Sequence, residues 1–169
     1  MGWFSRRSRT DSGVSAAGSG APATDDAAER LDPTFDGKPV AEPLTEAERA
    51  RISQRLETLA ARGVDVDDLS SIGAAYDAAR SHELRAPSGE GADLLVDLFA
   101  VAVGEHLVRH SARQWAIVTD AFGTDLGLVA ARSDTVVVPH NLVSARWMRR
   151  ELGWIPGVVG HLVSLAARP

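Results

Sequence analysis

The sequence predicts an α+β fold: helices followed by a three-stranded antiparallel meander and two C-terminal helices. Three observations carry this. Apolar residues recur at helical spacing in three stretches between residues 46 and 110. The pattern changes between 115 and 138 to short runs of β-branched and large apolar residues separated by turn residues. Helical spacing then returns to about residue 167. Elements segregated in this way define the α+β class, whereas alternation would argue for a parallel sheet.

Residues 1–44 read as a disordered N-terminal tail, and 45–169 as a single α+β domain. From residue 5 onward the tail is rich in Ser, Gly, Ala, Pro, Thr and Asp. Its few large apolar residues show no period, so it buries too little surface to offset the entropy of ordering. Leu31, Phe35, Val40 and Leu44 could dock loosely on the domain just before it starts.

Order begins at Thr45. Thr45 and Glu48 form a capping box, and Ile52, Leu56 and Leu59 lie on one helical face. Gly63 supplies a stop, which gives a first helix over 46–62. Asp65, Asp67 and Asp68 suit the start of a second helix, 67–82, with Leu69, Ile72, Ala75, Tyr76 and Ala79 as its buried stripe. A loop with Pro87, Gly89 and Gly91 follows.

The third helix, 92–110, is apolar around nearly its whole circumference and should be buried. Gly104 within it costs about 1 kcal/mol against alanine, which predicts close approach of the sheet. Trp115–Thr119 and Leu126–Val129 read as strands joined by a three-residue hairpin, with Asp120 opening the turn and Gly123 left-handed. That loop sets Val118 opposite Leu126, Ala116 opposite Leu128, Ile117 opposite Gly127, and Trp115 opposite Val129. Gly127 would then leave room beside the indole. Thr135–Val138 completes the meander. Pro139 opens a helix over about 140–150, and Pro156 one over about 156–167 with Val159, Leu162, Val163 and Ala166 on one face.

Val103-Gly-Glu-His-Leu107, Trp115, Asp120 with Gly123, and Val138-Pro139 leading to Val143 and Arg146 form a structural motif. In these residues the chain resembles a bacterial family, domain of unknown function 3806, over about 90–150. The resemblance implies a buried glycine helix, a tryptophan strand, a hairpin and a proline-led helix. It implies no catalytic residue.

Composition limits the chemistry. The 169 residues include no cysteine, so thiolate nucleophiles, disulfides and iron–sulfur clusters are excluded. Formal net charge is −5 with pI near 5.5, against a nucleic-acid binder that works by overall charge. The charge is uneven: residues 1–85 hold 15 acids and 11 bases, and 86–169 hold 8 and 7. No secretory signal is legible, because Trp3 and Phe4 precede Arg6, Arg7 and Arg9 and no apolar region follows. Leu94–Val103 is too short to span a membrane. The expected location is cytoplasmic, with Trp3 and Phe4 beside the arginines as the one route to membrane contact.

Three sets of residues remain as candidate sites. Arg146, Trp147, Arg149, Arg150 and Trp154 have the arginine–tryptophan composition of interaction hot spots, which points to a protein partner. The bland alternative is a solvated arginine face over a packed Trp147, held by cation–π contact. His106 and His110, four apart on one helix, can both meet a metal, which would suit a metal-dependent hydrolase. However, Glu105-His106 reverses the metalloprotease order, and a third ligand would have to come from His140 or His161. The alternative there is His110 favouring the helix dipole and His106 packed against the sheet. Asp120 and Asp125 flank the hairpin tip as paired acids or as ordinary turn residues. Ser144 has no nucleophile-elbow context, and Gly89 and Gly91 follow a helix rather than a strand, so neither suggests catalysis or a phosphate loop. The expectation is a non-enzymatic interaction or accessory module, with no cofactor and no nucleic-acid partner.

Overall fold

The computed structural model describes residues 39–85, 91–120, 123–130 and 133–166. Most of the expected tail, including Trp3 and Phe4, and the loop positions Pro87 and Gly89 lie outside the described residues. The order is β1 (Val40–Glu42), α1 (Glu46–Ala61), α2 (Leu69–Arg85), α3 (Ala92–His110), β2 (Arg113–Asp120), β3 (Gly123–Ala130), β4 (Ser133–Val137), α4 (Pro139–Arg149) and α5 (Ile155–Ala166). The α+β class is therefore as expected, but the sheet has four strands rather than three.

The additional strand is β1, at the edge of an antiparallel sheet ordered β1-β2-β3-β4. Val40 pairs with Thr119, and Glu42 with Ile117. All three β1 residues are exposed, so no apolar alternation marks the strand. Backbone pairing with β2, a tertiary partner, is what defines it.

The helices follow their local signals closely. At α1 the Thr45 amide donates to Glu48 Oε2 at 2.8 Å, and the Glu48 amide donates to Thr45 Oγ1 at 3.3 Å. Gly63, at φ 74°, takes the chain out of the helix. Before α2, the Asp67 amide donates to Asp65 Oδ1 and the Ser70 amide to Asp68 Oδ1. These aspartates hold a turn, so α2 starts two residues later than expected, and it runs on to Arg85. The bounds of α3 are those the sequence predicts, and this helix touches α1, α2, α4, α5 and β2. Its buried face joins Leu59, Ile72, Tyr76, Leu128 and Ile155 in one core. α5 begins one residue early, with the Val158 amide donating to the Trp154 carbonyl at 3.0 Å.

Gly104 has the packing role its position suggests. A Cβ added there would lie 2.0 Å from Trp115 Cη2 and 2.4 Å from Cζ2. The indole thus lies directly on the helix backbone. The hairpin register differs from expectation by one residue. Asp120 pairs with Gly123, Ala116 with Gly127, and Trp115 with Leu128. Only Ala121 and Phe122, which lie outside the described residues, separate the strands. The connection is two residues long rather than three, which moves every partner by one. Trp115, Ile117, Leu126 and Leu128 consequently share the helix-facing side. Gly127 makes room for Val118, whose Cγ2 lies 2.6 Å from where its Cβ would be, while the space for Trp115 comes from Gly104.

Candidate functional site

The arginine–tryptophan segment lies at the corner between α4 and α5. Pro139 opens α4, and no side chain caps its first turn. At the other end the Glu151 amide bonds the Arg146 carbonyl at 3.0 Å, and the Arg150 amide bonds that of Trp147 at 3.1 Å. This is a Schellman closure. It places Arg150 in the left-handed region at φ 61°, a position usually held by glycine.

The closure points the tryptophans inward. Trp147 is 5% exposed and Trp154 is 8% exposed. Tyr76, fully buried on α2, meets Phe99, Trp147 and Trp154 edge-on at centroid distances of 5.5, 5.5 and 5.7 Å. Two arginines flank this cluster. Arg80 Cζ lies 5.0 Å from the centre of the Trp147 ring, and its Nε donates to the Trp147 carbonyl at 3.0 Å. Arg146 Cζ lies 4.6 Å from the Trp154 ring centre, and its Nη1 donates to the Leu142 carbonyl at 3.0 Å. Burial raises the Tyr76 hydroxyl above its ordinary pKa, and the neighbouring Trp154 indole offsets this in part. Neither Tyr76 Oη nor Trp154 Nε1 completes a hydrogen bond by geometry. Asp77 ties the corner to α2, accepting from the Gly153 amide at 3.0 and 3.1 Å.

The five residues singled out by sequence therefore do not form one surface. Trp147, Trp154 and much of Arg146 form the base, while Arg149 and Arg150 remain exposed. The Arg149 side chain is 73% exposed, with Nη1 3.8 Å from Glu151 Oε1. Beside these arginines are two exposed apolar side chains, Met148 at 75% and Leu152 at 50%. Leu84, also exposed, lies one turn beyond Arg80 on α2. Helical geometry gave a signal for Met148: successive residues are about 100° apart, so a buried Trp147 turns Met148 away from its own environment.

The histidine pair is built differently. His106 is buried, and its Nδ1 donates to the Val66 carbonyl at 2.8 Å, in the α1–α2 loop rather than on the sheet. Its ring stacks on His110 at 4.3 Å between centroids, tilted by 30°. His110 Nε2 lies 3.2 Å from Asp67 Oδ1, and Arg109 bonds both Asp67 and Glu105. Glu105 also accepts from Trp115 Nε1 at 3.2 Å. Burial lowers the His106 pKa, an effect the Val66 carbonyl partly offsets. Stacking presents ring faces to each other rather than two converging lone pairs. His140 and His161 lie on α4 and α5, and among the described residues no group of three metal-ligating side chains converges.

Asp120 and Asp125 are on neighbouring strands, opposite Gly123 and Val118. Ser144, inside α4, donates to the Asn141 carbonyl at 3.3 Å.

Fold and corner together define an α+β domain in which an apolar central helix lies under an antiparallel meander and a proline-led helix. Residues 81–156 match a family model described as Domain of unknown function (DUF3806), so the chain is similar to that family from the end of α2 to the start of α5. No curated protein and no solved structure gives a match.

Proposed function

We propose that the protein is a non-enzymatic cytoplasmic interaction module that binds its partner at the α4–α5 corner. The observation that carries this is the exposure of Met148 and Leu152 beside Arg149 and Arg150 on a base fixed by Trp147, Trp154 and Tyr76. Apolar anchors ringed by arginine on a rigid support suit a partner segment that is itself apolar and acidic. The polar N-terminal stretch would serve as a spacer or regulated arm.

The test compares affinity capture by the full chain and by its Met148→Asp/Arg149→Glu variant. The two acids stand in the last turn of α4, against the helix dipole and beside Glu151, so the variant should be about 1 kcal/mol less stable than the parent yet still unfold cooperatively. The variant should lose a discrete partner held by the parent. Identical captured proteins would count against this surface.

A further inference from the structure

The side of the sheet turned away from α3 is also apolar at its centre. α3 and α4 meet the sheet on the side of Trp115 and Leu128, which share the core with Leu107 and Val143. The opposite side carries Ala116 and Val118 from β2, Gly127 and Val129 from β3, and Val136 from β4. An antiparallel sheet with one face on the core commonly turns polar side chains to the other. Here Val118 is 2% exposed and Ala116 is 4% exposed, yet neither belongs to the helix-side core or packs on it. On a bare sheet the tip of such a side chain stays in water, so burial this deep requires cover. It arises within a single chain.

The shape of this face suits one large ring. Ala116 pairs with Gly127, so two small residues lie side by side at its centre. Val118 leans over Gly127, with its Cγ2 2.6 Å from where a Cβ would be, and Val136 Cγ1 is 3.5 Å from the same point. Val129, paired with Val136, closes the far side. Glycine inside a strand often marks close approach by another group. Pro43 and Leu44 stand at the β1 edge, where with Ala41 they rim a hollow of about 370 Å³ beside Ala116 and Val129.

We infer that the chain just before β1 straps this face, with the Phe35 ring seated over Ala116, Val118 and Gly127. Residues 35–39 lead into β1 at Val40, which pairs with Thr119 near the hairpin end of β2. Ala41 pairs with Val118, so the strand brings the chain to the edge of the seat. Phe35 stands five residues before Val40. That length spans about 17 Å when extended. Neighbouring strands are about 4.8 Å apart, so the ring can pass over β2 and reach β3. Asp36-Gly37 is a turn dipeptide, which can fold the strap back over the sheet. Phe35 is the one large apolar side chain in residues 35–39. β1 is three residues long and fully exposed, so the ring is the anchor that keeps it in register. The strap is separate from the α4–α5 corner and does not rest on the partner reading.

The test reads nuclear Overhauser contacts and amide exchange in the full chain. The Val118 methyl groups should contact the Phe35 ring, and the contacts should persist on dilution. Phe35→Ala should speed amide exchange across Val40–Glu42 about tenfold or more, while Leu98–Val103 on α3 stays protected. Phe35→Leu, which keeps an apolar anchor, should restore most of the β1 protection. The inference is overturned if the Val118 methyls show no contact to Phe35 of the same chain, whether Phe122 or a second copy in a mixed-label sample covers them instead. It is equally overturned if Phe35→Ala leaves β1 exchange unchanged.

Discussion

The Trp115 region and the Trp147–Trp154 corner use the same residue type in opposite ways. The far end of the Trp115 ring meets a helix that has given up a side chain to receive it, so the contact depends on the absence of an atom at Gly104. Trp147 and Trp154 lie in a cluster that adds groups: Tyr76 edge-on between them and an arginine over each ring. The first arrangement fixes the sheet to the helical layer and leaves little variation possible. The second fixes a corner from beneath and frees the outer side of α4 for Met148, Arg149 and Arg150. A tryptophan next to arginines in sequence is therefore not evidence that both face solvent, because the arginine can reach over the ring from outside.

Two substitutions break this comparison. Trp147→Ala should have the larger effect, removing a buried aromatic from the centre of the cluster and lowering unfolding free energy by about 3–5 kcal/mol in urea titrations. Gly104→Ala should be next. Alanine favours the helix by about 1 kcal/mol, but overpacking against a rigid indole costs about 1–3 kcal/mol or more, and a Cβ at 2.0 Å belongs at the upper end. The net loss should be about 2 kcal/mol. Trp115→Leu in the same chain should recover part of it, a coupling that a double-mutant cycle reads directly. Independent, additive losses would show that the glycine and the indole do not determine each other.

A smaller effect sharpens the contrast two residues beyond Gly104 on α3. The folded chain holds the His106 pKa below its ordinary 6.5, because burial disfavours the imidazolium. The unfolded chain therefore takes up the proton first as pH falls. The contribution to stability is complete above 6.5 and is lost progressively as pH drops below that value towards the folded pKa. Unfolding free energy measured from pH 8 to pH 5 should decline over the lower part of that range. His106→Gln should flatten the part of the decline that belongs to this residue.

Local signals that act within one element were legible in the sequence. The Thr45 capping box, the bounds of α3, the need for space at Gly104 and the proline start of α4 each depend on a few neighbouring residues. Features set by distant partners were not. β1 has no apolar pattern and is made by pairing with β2. The hairpin register turned on whether two or three residues close the loop, and that single residue redirected every cross-strand pair. At the site, residue types alone placed Trp147 and Trp154 with the arginines. Their burial depends on Tyr76 and Arg80 from α2, some 70 residues away in sequence. The groove bounded by α1, α3, β2, β3 and α4 was not legible either, since its lining comes from five separate elements.

The central claim is that the outer side of α4 is where this protein meets its partner. Site-specific photo-cross-linking in the full chain tests it most directly, with the cross-linker at Met148 and, as a control, at Glu57, an exposed position on α1. The account predicts a discrete adduct from position 148 that disappears when Arg149→Glu is added, and no such adduct from position 57. Equal labelling from both positions, or none from 148, would contradict it.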